Sequence, residues 1–535
     1  METFDYIIVG AGSAGCVLAE RLSADGRSRV LLLEAGGDDR RFWINMPIGY
    51  GKTFFDEKVN WKYHTEPDAG LGGRRGYWPR GRVLGGSSAI NAMVYCRGMP
   101  TDYDDWHDAG NPGWGWEEVA ATFASLEQHV RADGSVQGSG PLCVSAREPE
   151  YHPVKRHFLA AAQALGLPLS ADLNGPSPEG VGAYAITTRQ GLRCSAADAF
   201  LRPALGRANL QLRTRALAQR LLFEGPQVVG LEYLADGQRH QVRARREVML
   251  CAGAVNSPQL LQLSGIGPGP LLQNLGIAVR RHNPAVGGGL QDHLGINYLY
   301  RATEPTLNGV LGSWSGRLGA GLRFVLGRAG PLSLSVNQMG GMVRSSAAMP
   351  RPDVQLYFSP LSYSTEYVGR RPLLKPDPYP GFILGFNPCR PHSRGRIDIC
   401  SPDPAQAPAI RPQYLSDPRD QAQVLAGARL IARLQQTAAL RALIAGEPAT
   451  NLPAMSDEDV LQDFRARSGT VYHPCGTCAM GPEARGGVVD AQLRVHGVPG
   501  LRVVDASVFP NITSANTNAP ALMVAAHAAR FIQNA

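Results

Sequence analysis

Three glycines at fixed spacing, one carboxylate, a histidine and a CxxC pair are the residues of this chain whose types point to chemistry. Gly10, Gly12 and Gly15 form GxGxxG inside YIIVGAGSAG, and Glu34 closes a second apolar run, Val30 to Leu33. In a strand, turn, helix and strand unit, that spacing holds a dinucleotide. Gly10 allows the tight turn after the strand, Gly12 leaves space for a pyrophosphate, and Gly15 lets the following helix pack on the sheet. A helix from Gly12 to about Leu22 points its first amides at the diphosphate. Glu34 can accept hydrogen bonds from an adenosine ribose, and its charge disfavours a 2′-phosphate. A lone GxGxxG can be an ordinary glycine-rich turn; the flanking strands and Glu34 favour a cofactor site.

His473 lies in the turn-rich segment YHPCGTC. An imidazole with an ordinary pKa of about 6.5 can take a proton near neutral pH, although a histidine on its own is more often structural than catalytic. Cys475 and Cys478 resemble a redox CxxC, but no thioredoxin-like βαβ context surrounds them. His473, Cys475 and Cys478 lack a second ligand pair at a suitable spacing, so no metal is expected.

These groups must be positioned by a chain of 535 residues, which is longer than one core usually supports and suggests two domains. Hydrophobic content of 44% with 18% charge describes a soluble globular protein. The net charge of +8 is spread as isolated arginines, which gives nucleic-acid binding little support and leaves contact with an anionic membrane face open. The first strand begins within five residues of Met1 and no run of 18 apolar residues occurs, so neither a signal peptide nor a spanning helix is expected. The expected location is cytoplasmic, with peripheral contact at the inner membrane left open. The nine scattered cysteines are expected to be free thiols.

The stretch Gly36 to Trp116 has little periodicity and contains GRVLGGSSAINAMVYCRG. Gly85, Gly86, Ser87 and Ser88 let backbone approach something flat, and Asn91, Ala92, Met93 and Val94 would run along it. Leu210 to Tyr233 reads as a β-hairpin pair, and Glu247 to Gly253 as a buried strand entering a helix; both suit the cofactor domain. From about Gly295 to Asp463 alternating strands (Asp353 to Ser359, Gly381 to Phe386, Gly395 to Ile399) and a helix from Pro418 to Leu434 suggest a second domain. The proline-rich segment Arg370 to Pro380 reads as a surface loop that gates access. A strand over 501–507 and an apolar helix return the chain to the cofactor sheet.

GAGSAG, GRVLGGSSAIN, GAVNSPQLLQLSGIG, HPCGTCAMG and ANTNAP, in this order, resemble the glucose-methanol-choline (GMC) oxidoreductases over essentially the whole chain. The chain looks most similar to bacterial FAD-dependent alcohol dehydrogenases and to choline dehydrogenases. The resemblance implies a mixed α/β fold with a Rossmann-like FAD-binding domain (1–155, 195–295 and 464–535) and a sheet-containing substrate-binding domain (156–194 and 296–463). It implies FAD held by Gly10, Gly12, Ser13, Ala14, Gly15, Glu34 and Ala35 at the ADP part, with Ala218 at the adenine. Leu84, Gly85, Ser87 and Asn91 to Val94 would face the isoalloxazine, and Asp505, Ala506, Thr517, Asn518 and Pro520 would close the site. Members that bind flavin covalently through histidine carry it where this chain has Ile90, so noncovalent FAD is expected.

The resemblance also makes His473 and Asn516 the catalytic pair, with Asn518 the weaker candidate. Tyr472, Gln338 and Met339 would line the substrate pocket. A Gln and a Met where choline-active relatives carry an acid disfavour a quaternary ammonium. The implied reaction is oxidation of a small primary alcohol to its aldehyde, with electrons passed to a quinone or other non-oxygen acceptor. An alcohol oxidase using oxygen, a choline dehydrogenase and an FAD-containing hydroxynitrile lyase are the alternatives.

Overall fold

In the computed structural model, which describes residues 1–363 and 375–534, strand β1 (Glu2–Val9) is the seed of the first sheet. Its residues Tyr6 to Val9 are all buried, the pattern of a parallel strand covered on both faces. β1 pairs in parallel with the equally buried β2 (Val30–Leu33). Between them runs helix α1 (Ser13–Leu22), buried along Ala14 to Ala19. The sheet continues with β3 (Leu210–Arg213), β4 (Leu217–Glu224), β5 (Gln227–Ala235) and β6 (Gln238–Leu250), in the order β3-β2-β1-β6-β5-β4.

The expectation of a hairpin pair over Leu210 to Tyr233 needs correcting. Leu210 pairs in parallel with Val30, so β3 is an edge strand beside β2, and only β4 and β5 form the hairpin. β6 serves three neighbours: its first part pairs antiparallel with β5, and further along it runs parallel to β1 and to the C-terminal strand at Leu501–Val503. It then turns into helix α2 (Gly253–Leu263).

The second sheet is antiparallel and built from β7 (Leu294–Arg301), β8 (Met339–Val343), β9 (Val354–Ser359), β10 (Gly381–Pro388) and β11 (Gly469–Thr470), in the order β8-β9-β10-β7-β11. Its core gathers Phe158, Leu356, Phe358, Phe382, Leu384 and Phe386, with Phe158 stacked on Phe358 at 5.1 Å. Helix α3 (Trp314–Gly327) packs on the short turn Pro331–Ser333 that follows it, and α4 (Pro418–Gln436) packs on β10. Because β11 pairs with β7, Gly469 and Thr470 sit in this sheet and not with the C-terminal segment. The chain then returns through β12 (Leu501–Val503), parallel to β6, and ends in α5 (Asn518–Gln533) packed on α1. Of the gating loop expected at 370–380, residues 370–374 lie outside the described residues.

Candidate active site

The ends of β1, β2 and β6 open into a cavity of roughly 410 Å³, at the carboxyl edge of the parallel strands, where open α/β sheets bind ligands. Gly10 has φ +101°, and a Cβ there would stand 2.5 Å from the Cys251 carbonyl oxygen; only glycine makes this turn. At Gly12 a Cβ would have nothing nearer than the Gly86 Cα at 3.9 Å, so its face belongs to the cavity. Glu34 is buried and braces this loop: Oε2 accepts from the Ala11 N–H at 2.9 Å and Oε1 from Gly36 at 2.7 Å. Burial pushes its carboxyl up to about 7 against those two hydrogen bonds. From the other side, Ser13 donates to the Asn518 amide oxygen at 2.7 Å. Asp505 accepts from the Gly253 N–H and the Ser257 hydroxyl at 2.8 and 2.6 Å.

Of the expected cofactor residues, the lining includes Gly10, Gly12, Ser13, Ala14, Glu34, Ala35, Ser87, Asn91 to Val94, Ala218, Asp505, Ala506, Thr517 and Asn518. Gly15, Leu84, Gly85 and Pro520 do not face it. Gly15 stands behind the loop, where a Cβ would meet the Gly10 carbonyl at 1.8 Å, and Gly85 donates its N–H to the Ala11 carbonyl at 2.8 Å. These two support the cradle. A glycine loop at a helix N-terminus, a carboxylate at the second strand and a band of small residues leading to Asn91 fit an elongated dinucleotide such as FAD.

The other end of the cavity carries His473 and Asn516, brought together from positions 43 apart, with Asn516 Nδ2 at 3.1 Å from His473 Nε2. Their protonation follows from one fixed acceptor. His293, fully buried, places Nε2 at 2.8 Å from the Cys389 carbonyl oxygen and Nδ1 at 2.9 Å from His473 Nδ1. A carbonyl only accepts, so His293 donates from Nε2; burial holds the ring neutral, with its pKa lowered to about 4. Its Nδ1 is then an acceptor, His473 donates from Nδ1, and the lone pair of His473 Nε2 faces Asn516. The Asn516 amide is oriented by Gln355, whose Nε2 donates to its oxygen at 3.3 Å. Burial first, then His293 and the Arg80 charge, lowers the His473 pKa well below the ordinary histidine value.

The His473 backbone is pinned as well. Its N–H donates to Asp292 Oδ1 at 2.8 Å, and Asp292 Oδ2 accepts from the Tyr414 hydroxyl at 2.5 Å. Tyr472, just before it, has φ +71°, a strained conformation for a side-chain-bearing residue. It is held by its N–H on the Thr470 hydroxyl at 2.7 Å and by Arg80 donating to its carbonyl at 2.8 Å. His293, Asp292 and Arg80 carry no local signature in the sequence; each acts on the site from a distant stretch of chain.

Tyr472 lines the pocket, but Gln338 and Met339 do not. Gln338 is buried with its side-chain oxygen accepting from the His152 N–H at 2.8 Å, and Met339 enters the core of the second sheet. Strand β8 begins there, so the wall falls one residue earlier, at Asn337. The remaining wall is aromatic, with Tyr50, Phe54, Trp61, Tyr357 and Tyr363, and Arg80 and Arg467 also face the cavity. Cys475 and Cys478 are free and buried, and burial pushes both thiols up, the inert state of a structural cysteine.

The GMC oxidoreductase family model matches residues 4–295 and 391–525. The chain is 42% identical to an alcohol dehydrogenase [acceptor] of Pseudomonas putida, over 99% of this chain and 95% of that protein. It is 40% identical to the mitochondrial choline dehydrogenase of Mus musculus, over 99% and 90%. Among solved structures it resembles pyridoxine 4-oxidase from Mesorbium loti, with a TM-score of 0.89 at 33% identity and 99% of each chain covered. With family, fold and cradle in agreement, the chain belongs to the GMC oxidoreductases and is an FAD-dependent oxidoreductase acting on CH–OH donors.

Proposed function

We propose that this protein oxidises an uncharged primary alcohol to its aldehyde and hands the electrons to a quinone or another non-oxygen carrier. The observation that carries the reading is the unprotonated Nε2 of His473 facing the cavity beside the Asn516 amide. An alcohol hydroxyl placed between them donates its proton to Nε2 and accepts from Asn516 Nδ2. As the proton moves, the Asn516 N–H and the new imidazolium stabilise the developing alkoxide. FAD, which the glycine loop, Ser13 and Asn518 would hold and for which Ile90 offers no covalent attachment, would supply the two-electron acceptance. His293 keeps the receiving nitrogen free, and the aromatic wall excludes water from the reacting carbon.

The charge of the lining favours a neutral substrate. Among the described residues its only carboxylates are Glu34 and Asp505, both occupied at the cofactor end, while Arg80 and Arg467 are cationic. The aromatic side chains, whose ring faces attract cations, favour a choline-type alcohol as the second reading. Eight of the nine free cysteines are buried thiols, which suits a reducing compartment, and a cytoplasmic location is part of the proposal. The test is an anaerobic titration of the flavin absorbance with neutral primary alcohols and with choline. Bleaching by neutral alcohols but not choline is expected. Bleaching by choline alone overturns the substrate, and cleavage of a cyanohydrin without bleaching by any alcohol replaces oxidation with lyase chemistry.

A further inference from the structure

Helix α3 presents an apolar face to solvent. Five of the exposed large apolar side chains among the described residues lie on it: Trp314 (75% exposed), Leu318, Leu322, Val325 and Leu326 (83%). At 100° per residue they span one arc of about 120°, while Ala320 and Phe324, the buried residues, point the opposite way. Arg317 flanks the arc on one side and Arg323 on the other. Between Glu304 and Asp353 the sequence has arginines at 317, 323, 328, 344 and 351 and no acidic residue; Arg344 and Arg351 pair with Glu179 and Asp105, so Arg317, Arg323 and Arg328 carry the basic edge.

The patch continues beyond the helix. The turn Pro331–Ser333 that follows α3 packs on the turn Pro47–Gly49. Next to that turn Phe42 and Trp43 are exposed, with Lys52 over the Trp43 ring at 5.8 Å. Just before α3, Leu311 packs against an apolar cluster that contains Tyr50 and Tyr363, two residues that line the active-site cavity.

We infer that this face docks on an anionic phospholipid surface, with the apolar arc of α3 in the headgroup–acyl boundary and its arginines on lipid phosphates. A wide exposed apolar stripe with tryptophan, edged by arginine and free of acids, is the composition of an interfacial helix. A soluble partner protein or a second copy would need an acidic rim to meet these arginines. Among the described residues no helix is long and apolar enough to cross a membrane, so the contact is one of docking and not of spanning. It brings a wall of the active-site cavity to the lipid surface.

The experiment uses the FAD-loaded full chain. Co-sedimentation with vesicles of mixed phosphatidylglycerol and phosphatidylcholine is compared with vesicles of phosphatidylcholine alone, at low and high salt. Binding to the anionic vesicles that weakens with salt is expected, as is quenching of Trp314 fluorescence by brominated lipid that disappears in Trp314→Phe. The double variant Leu318→Asp, Leu322→Asp should bind about tenfold or more weakly, and Arg317→Gln should lose about fivefold, one arginine's share. Flavin bleaching by a water-soluble alcohol, unchanged in every variant, shows that the fold survives and is read separately from docking. Equal sedimentation of parent and double variant, or no preference for anionic lipid, overturns the inference. So does a parent that is dimeric in solution and monomeric as the double variant, because the face would then belong to a second copy.

Discussion

At the scale of single residues, the site turns on which imidazole nitrogen holds a proton. His473→Ala should keep bound FAD and lose reduction by alcohol by about two to four orders of magnitude; a near-normal rate in stopped-flow absorbance would remove His473 from the base role. Protonation of His473 removes the Nε2 lone pair, and its pKa is lowered. The rate should therefore stay flat as pH falls through about 6.5, the ordinary histidine value, and drop only in more acid solution. A break at or above that value contradicts the burial argument. His293→Leu deletes the acceptor that keeps Nδ1 of His473 protonated, and deletes the neighbour that helps lower its pKa. It should slow reduction and move the break to higher pH, a change that simple loosening of the pocket would not produce. Gly12→Val is the complementary case at the cofactor. The backbone there is extended, at φ −76° and ψ −163°, and the Cβ meets no atom within 3.9 Å. The variant should fold and purify colourless, and a yellow protein would place the pyrophosphate elsewhere.

At the scale of elements, the two sides of the catalytic pair are tied together by a buried ion pair. Asp102 accepts from the Ser514 N–H and hydroxyl, each at 2.7 Å, and pairs with Arg390. Ser514 leads directly to Asn516, and Arg390 follows Cys389, whose carbonyl orients His293. Asp102→Ala leaves Arg390 with Asp105 alone and the Ser514 N–H and hydroxyl without their acceptor, and should cost about 1 to 3 kcal/mol in denaturant unfolding, with slower reduction because both ends of the site lose their reference. A change below about 1 kcal/mol would show that the pair positions nothing. The same scale explains what the chain discloses before folding. The opening unit β1, α1 and β2 is legible because its signals are local: apolar runs, glycines at fixed spacing, and an acid at the strand end. The Leu210 to Arg213 strand is not, because its partner β2 is remote and parallel pairing leaves no turn to read. Gln338 and Met339 fail as wall residues for another reason: the His152 N–H and the core of the second sheet, which take their side chains, come from distant stretches of chain. Helix α3 escapes notice because Gly316, Gly319, Gly321 and Gly327 dilute its helical signal, and His293 because it meets its partner across 180 positions.

For the molecule as a whole, the cofactor cradle is a joint between parts of the chain that are far apart. Residues from the stretches 10–14, 34–35, 86–94, 251–256, 505–506 and 516–518 line one cavity, and the second sheet closes it through Asn297, Tyr357 and Phe386. A dinucleotide held there is bound only when both sheets and α5 are in register, so FAD binding and global folding should be linked. By mass action, free FAD at a hundredfold over its dissociation constant adds about 2.7 kcal/mol to stability. Removing FAD should therefore lower the unfolding temperature of both sheets together, and restoring it should return a single transition. The proposed noncovalent attachment makes the linkage reversible: acid precipitation should leave the flavin in the supernatant, and the apoprotein should regain its absorbance and alcohol-driven bleaching when FAD is added back. Flavin that stays with the pellet would mean a covalent bond at another residue. An apoprotein whose unfolding temperature does not respond to FAD would mean that FAD does not bind the folded cradle in preference to the unfolded chain, and the linkage would fail.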